Sequence, residues 1–179
     1  MKNLYLIKFG ELTLRKQNLR YYIKVLRSNV KKQLAGTDAS VESRDKRMYV
    51  HASLDHDKAV REALDRTFGI AGYARVIPAE KTIDAVANAA IALTAESLNA
   101  SVPAPTSFRI TARRSDKSFP LNSFEIGREI GSAVLDRFPR LKVDLENPGF
   151  TVNIEIREKA YLYSRVTPGL RGLPVGVSG

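Results

Sequence analysis

The chain has 179 residues, of which 44% are hydrophobic, 27% charged and 8% aromatic, enough for one large or two small domains with a packed core. It contains no cysteine, which excludes disulfides, thiolate zinc sites and cysteine nucleophiles. Lys and Arg number 29 against 19 Asp and Glu, and a net charge of +10 points to a polyanionic partner, nucleic acid before an acidic membrane surface.

Leu4 to Phe9 is mostly apolar and predicts a central strand ended by Gly10. From Asn18, a plausible N-cap, Leu19, Tyr22, Ile23, Leu26, Val30 and Leu34 recur at helical spacing, and Gly36 supplies the stop. Val41–Arg44 and Met48–Ala52 predict two strands around a charged turn at Asp45-Lys46. A second helix runs from Ser53 to Arg66 on a Val60, Ala63, Leu64 stripe, and a strand from Tyr73 to Ile77 is ended by Pro78. The order βαββαβ is the ferredoxin-like arrangement.

A second unit begins with an Ala-rich helix, Ile83–Leu98, buried through Val86, Ala87, Ala90 and Leu93. Phe108, Ile110 and Ala112 alternate with Arg109, Thr111 and Arg113, the period of a half-buried strand. Asn122 with Glu125 fits a capping box for a helix carrying Ile126, Ile130, Ala133 and Val134 on one face. A short strand at Lys142–Leu145, an alternating strand over Phe150–Ile156 and a last strand over Ala160–Val166 complete an α-β-α-β-β-β order. Six of the last thirteen residues, Thr167–Gly179, are Gly or Pro and predict a linker without regular structure.

Between Leu12 and Thr37 there are seven basic residues and no acidic one. Projected at about 100° per residue, Lys16, Arg20, Lys24, Arg27 and Lys31 fall within roughly an 80° arc beside the apolar stripe. Like charges at i,i+4 cost a few tenths of a kcal/mol each, so a single-sign row favours an anionic partner. A second cluster combines Arg109 and Arg113 on one strand face with Arg114 and Lys117 in the turn beyond, where Ser115 and Ser118 add donors for phosphate. Tyr161, Tyr163 and Arg165 are expected on the outer face of the last strand, where exposed Tyr beside Arg suits stacking on unpaired bases.

Catalytic signatures are missing. Neither G-x-x-x-x-G-K-[ST] nor a G-x-G-x-x-G after a strand occurs. The two histidines, His51 and His56, lie in one local segment; His56 with Asp55 and Asp57 reads as a helix start rather than a metal site. Glu11 stands alone near basic residues and is read as orienting Arg15 or Lys16. No catalytic, cofactor-binding or metal-binding residue is assigned. No apolar run reaches the roughly 20 residues of a membrane span and no signal peptide is apparent, so a cytoplasmic protein with no membrane partner is expected.

Phe108 through Pro120, with Ser123–Gly131, resembles the core of a THUMP domain, and Val143–Phe150, Val152–Arg157 and Ala160–Tyr163 resemble its C-terminal half. Lys8–Leu12 with Asn18 is similar to the N-terminal ferredoxin-like domain of the tRNA 4-thiouridine synthetase family, also called tRNA sulfurtransferase or thiamine biosynthesis sulfurtransferase. Gly172–Gly176 resembles the linker to that family's PP-loop domain. The resemblance implies an α+β chain with a ferredoxin-like domain at 1–78, a THUMP domain at 79–167 and a linker at 168–179. It implies that these domains hold the acceptor stem and single-stranded 3′ end of tRNA, as a ruler for a PP-loop domain that adenylates a uridine with ATP and installs sulfur. Neither the S-G-G-x-D-S motif nor the catalytic cysteines of that domain occur, so no cofactor is expected within these residues; ATP, a sulfur-donor protein and a homodimer are expectations for an intact enzyme. Two alternatives are a THUMP-type module of another RNA-modification system, such as a methyltransferase, and a non-enzymatic ferredoxin-like scaffold for an acidic protein.

Overall fold

The computed structural model describes residues 2–10, 18–44 and 47–177. Glu11, Arg15, Lys16 and the Asp45-Lys46 turn therefore lie outside the described residues. The chain divides into two compact units, Met1–Val76 with Val166–Gly179, and Ile77–Arg165.

The first unit runs β1 (Lys2–Lys8), α1 (Leu19–Gln33), β2 (Ser40–Arg44), β3 (Arg47–Ser53), α2 (Asp57–Asp65) and β4 (Gly72–Ala79). Its strands are antiparallel in the order β2-β3-β1-β4, the ferredoxin-like sheet. The periodic stripe of α1 packs as predicted: Leu19, Tyr22, Leu26 and Val30 join Tyr5 and Ile7 of β1 and Val60, Ala63 and Leu64 of α2 in one core. Tyr5 donates its hydroxyl to Asp57 across that core, and burial, then this hydrogen bond, pushes the phenol well up.

Three local expectations change. Asn18 sits at the α1 N-cap position, but its side chain makes no capping bond. The helix predicted from Ser53 starts as a 3-10 turn, Leu54–His56, because His56 Nδ1 and the Ser53 N–H both turn toward Asp38, at 2.8 and 3.2 Å. Pro78 does not end β4; it pairs opposite Tyr161, past Val76 where the ladder to β1 stops, and a missing N–H is tolerated where a strand has one partner.

The Gly/Pro-rich tail is not free. Its first residues form β9 (Thr167–Pro168), paired with Gly72 and Tyr73 of β4. Backbone bonds continue from Gly169 N to Ala71 O, Arg171 N to Ile70 O, and Gly69 N to Arg171 O, at 2.8–3.0 Å. Asn29 of α1 donates to Val175 O at 2.9 Å, and Val177 packs against the core. Gly69, at φ +95°, faces Pro174 so closely that a Cβ would lie 2.8 Å from its ring. Turn-formers here replace regular structure with a fitted strap.

In the second unit, α3 (Ile83–Asn99), β5 (Ser107–Arg114), α4 (Ser123–Arg137), β6 (Lys142–Val143), β7 (Phe150–Ile156) and β8 (Ala160–Tyr163) follow in turn. The sheet order is β8-β7-β5-β6, with the last three residues of β4 against β8. β5 is parallel to β6 and β7, and β7 and β8 form an antiparallel hairpin. Val86, Ala90 and Leu93 of α3 and Ile126, Ile130 and Val134 of α4 cover Phe108, Val152, Ile154, Ile156 and Leu162. The α4 capping box forms as predicted: Glu125 N–H donates to Asn122 Oδ1 at 3.0 Å, and Asn122 N–H to the Glu125 carboxylate at 2.7 Å.

Candidate nucleic-acid interface

Charge is divided unequally between the units. The first carries seventeen Lys and Arg against eight Asp and Glu, the second twelve against eleven, so +9 of the net +10 belongs to the first. Burial of the Leu19–Val30 stripe leaves Arg20, Lys24, Arg27 and Lys31 exposed on α1. Arg27 also donates to Val41 O at 3.2 Å, which fixes its guanidinium over the start of β2. The first turn of α1 holds no acidic residue, and Lys31 and Lys32 lie in the last turn, where the helix dipole favours cations. Lys16, the fifth member of the predicted row, lies outside the described residues.

In the second unit the sheet face turned away from the two helices carries the second cluster. The β5–β7 register sets Arg109 beside Thr151, Thr111 beside Asn153 and Arg113 beside Glu155. Arg113 is exposed. Arg109 is half-buried: it donates to Leu145 O at 3.0 Å, while its Nε is buried without a partner among the described residues.

The turn after β5 is tightly organised around Asp116. Its carboxylate accepts from Lys81 Nζ at 2.5 Å, and from the Ser118 N–H and hydroxyl at 2.9 and 2.7 Å. The Lys81 bond, then those from Ser118, hold this carboxyl well below the usual carboxylate range. Ser115 N–H is donated to Ile156 O. Lys117 is left exposed at the tip.

Two expectations for this cluster need revision. Arg114 donates to Phe119 O and Leu121 O at 3.0 and 3.4 Å, so its guanidinium staples the turn. The Ser118 hydroxyl is donated to Asp116 instead of being held out for phosphate. The organising pair escaped the sequence reading: Asp116-x-Ser118 is a local Asx-type signal, but Lys81, thirty-five positions away, has none.

The tyrosine expectation is corrected more strongly. Tyr161 and Tyr163 do lie opposite Leu162 on β8, but they are only 8% and 4% exposed. Tyr161 donates its hydroxyl to Glu158, and Tyr163 donates to Glu155 at 3.3 Å. Arg157, just past the end of β7, closes on the same Glu155 at 3.2 Å. A phenol needs a polar partner when buried, and these carboxylates supply it. β8 ends at Tyr163, so Arg165 and Val166, both exposed, follow the strand.

Among the described residues, no group of His, Asp and Glu could hold a metal ion, and no helix is long and apolar enough to cross a membrane.

Residues 4–74 match the ThiI ferredoxin-like domain, and residues 80–165 match the THUMP domain. A protein from Caldanaerobacter subterraneus subsp. tengcongensis named "Probable tRNA sulfurtransferase" is 37% identical over the whole chain, which covers 46% of that relative. The chain thus spans about half the length of the curated relatives it matches. A crystal structure of a 4-thiouridine synthetase–RNA complex with bound ATP aligns over 98% of this chain and 44% of its own, with a TM-score of 0.84 at 22% identity, a likeness of fold. A Pyrococcus horikoshii structure aligns over 97% of this chain and 58% of its own, with a TM-score of 0.84 at 28% identity.

Proposed function

Because the chain belongs to the family that joins a ThiI ferredoxin-like domain to a THUMP domain, we propose that it is the tRNA-binding region of a tRNA sulfurtransferase. In this reading both units hold the acceptor stem and single-stranded 3′ end, and so set the reach to a uridine that an ATP-dependent PP-loop domain converts to 4-thiouridine. These 179 residues contribute binding without chemistry, having neither a phosphate loop nor a cysteine. A sulfur-donor protein and a second copy are partners of the whole enzyme.

The observation that carries the reading is the exposed, single-sign row Arg20, Lys24, Arg27 and Lys31 in a chain with a THUMP match. Cations on one helix face suit the regularly spaced phosphates of a duplex, which fix position without reading sequence. Arg109, Arg113 and Lys117, on one strand and its following turn, suit the shorter phosphate track of an unpaired end, with Arg114 holding that turn in place. Arg165 belongs to the second of these proposed surfaces, whereas Tyr161 and Tyr163 serve as supports beneath it.

The test is titration of the chain with intact tRNA and with tRNA trimmed of its 3′ single-stranded end, each at two salt concentrations. Tighter binding of the intact form, weakening steeply with salt, is expected. Equal affinity for both forms would remove the role of the acceptor end, and no binding at low salt would refute RNA binding altogether.

A further inference from the structure

Phe124 is the second residue of α4, and it is 77% exposed. The helix does not need it there: the buried face is Ile126, Ile130, Gly131 and Val134, and the start is secured by Asn122 and Glu125. Among the described residues its ring stacks on no other. Gly127, three positions on, is equally unexplained by packing, since a Cβ there would meet nothing within 4 Å. Glycine weakens a helix interior relative to alanine, so an open-sided glycine is a cost without a structural return. Arg128, one position further, has a 67% accessible side chain and donates to its neighbour Glu129 at 3.3 Å, an exposed pair easily given up.

Positions i, i+3 and i+4 share one helix face, and side chains lean toward the helix N-terminus. Phe124, Gly127 and Arg128 therefore share one face of α4, with the bare edge at Gly127 between the other two in sequence. Phe124 leans over the helix start, into which the Lys117 turn leads. That turn is held still by Asp116 and Arg114. The two nearby carboxylates are engaged, Glu125 with the Asn122 N–H and Glu129 with Arg128. What remains is an exposed aromatic ring and an open backbone edge, with the cation of Arg128 on the same helix face and that of Lys117 in the turn that precedes the helix.

We propose that Phe124, Gly127 and Arg128 form a stacking seat for one unpaired nucleobase of a bound RNA, with Lys117 taking an adjoining phosphate. Every base has a π-face, so an exposed ring accepts any of the four, and a guanidinium plane can close over the other side. The seat rests on the RNA-binding reading above and gives it a defined point of contact.

The 179-residue chain is titrated with two RNA hairpins, one with four unpaired 3′ nucleotides carrying a terminal 2-aminopurine, the other blunt. The unaltered chain is expected to bind the overhang form more tightly and to quench its fluorescence. Phe124→Ala should weaken the overhang complex by about ten- to a hundredfold, abolish quenching and leave the blunt complex unchanged. Phe124→Tyr should retain both properties, and Gly127→Leu, which fills the open edge with a good helix former, should weaken the overhang complex alone. Unchanged overhang binding by Phe124→Ala, or an equal loss with both hairpins, overturns the seat while leaving RNA binding in place. Failure of the unaltered chain to bind either hairpin overturns the seat together with the reading beneath it.

Discussion

Asp116 shows how one side chain organises an exposed turn through internal bonds alone. Its bonds to Lys81 and Ser118 keep its carboxyl depressed, so its stabilising contribution is present in full above the ordinary carboxylate pKa near 4 and is lost as pH falls through the folded value. Asp116→Ala should lower Tm by a few degrees at pH 7 and by progressively less as pH falls below about 4 toward the folded value, and melts showing an equal loss across that range would rule out the ion pair as the cause. Tyr161 and Tyr163 mark the limit of reading single residues. Alternation with Leu162 placed them on the correct face, but whether a tyrosine on that face is exposed depends on Glu155, Glu158 and Arg157, and no periodicity encodes those partners. Arg114 is similar: its charge was legible, while its two carbonyl acceptors depend on how the turn closes.

At the level of elements, legibility was higher because burial imposes a period. The α1 stripe, the alternation in β5 and β7, and the α4 capping box each appear where spacing put them. Boundaries drifted where a side chain outside the element intervened, as Asp38 does at the start of α2. The basic row of α1 has an energetic corollary. Lys24 stands four positions after Arg20 and three before Arg27, all three exposed, so Lys24→Glu replaces two like-charge neighbours with two opposite ones. This change should raise stability by about 0.5 kcal/mol and weaken RNA binding several-fold. Thermal melts with RNA titration check both; a variant less stable than the parent would show that the row is not under repulsion.

For the whole molecule, the allocation of +9 to one unit and +1 to the other predicts where salt dependence arises. Each phosphate contact removed lowers the slope of log K against log salt by about 0.7 to 0.9. Replacing Arg20, Lys24 and Lys31 together by Ala should reduce that slope by about 2, more than replacing Arg113 and Lys117. A larger change from the second pair would place the main phosphate contacts in the second unit. The tail was the least legible part of the molecule, because Asn29 and Val175, 146 positions apart, leave no local trace of their contact. Its return also makes the second unit an insertion within the first. During synthesis at about 5–20 residues per second, the edge of β4 at Gly72 and Tyr73 is complete long before Thr167 and Pro168 exist to pair with it. The first unit must then wait on the order of ten seconds for its last strand, a period in which a strongly cationic, unfinished sheet edge emerges beside the RNA-rich surface of the ribosome.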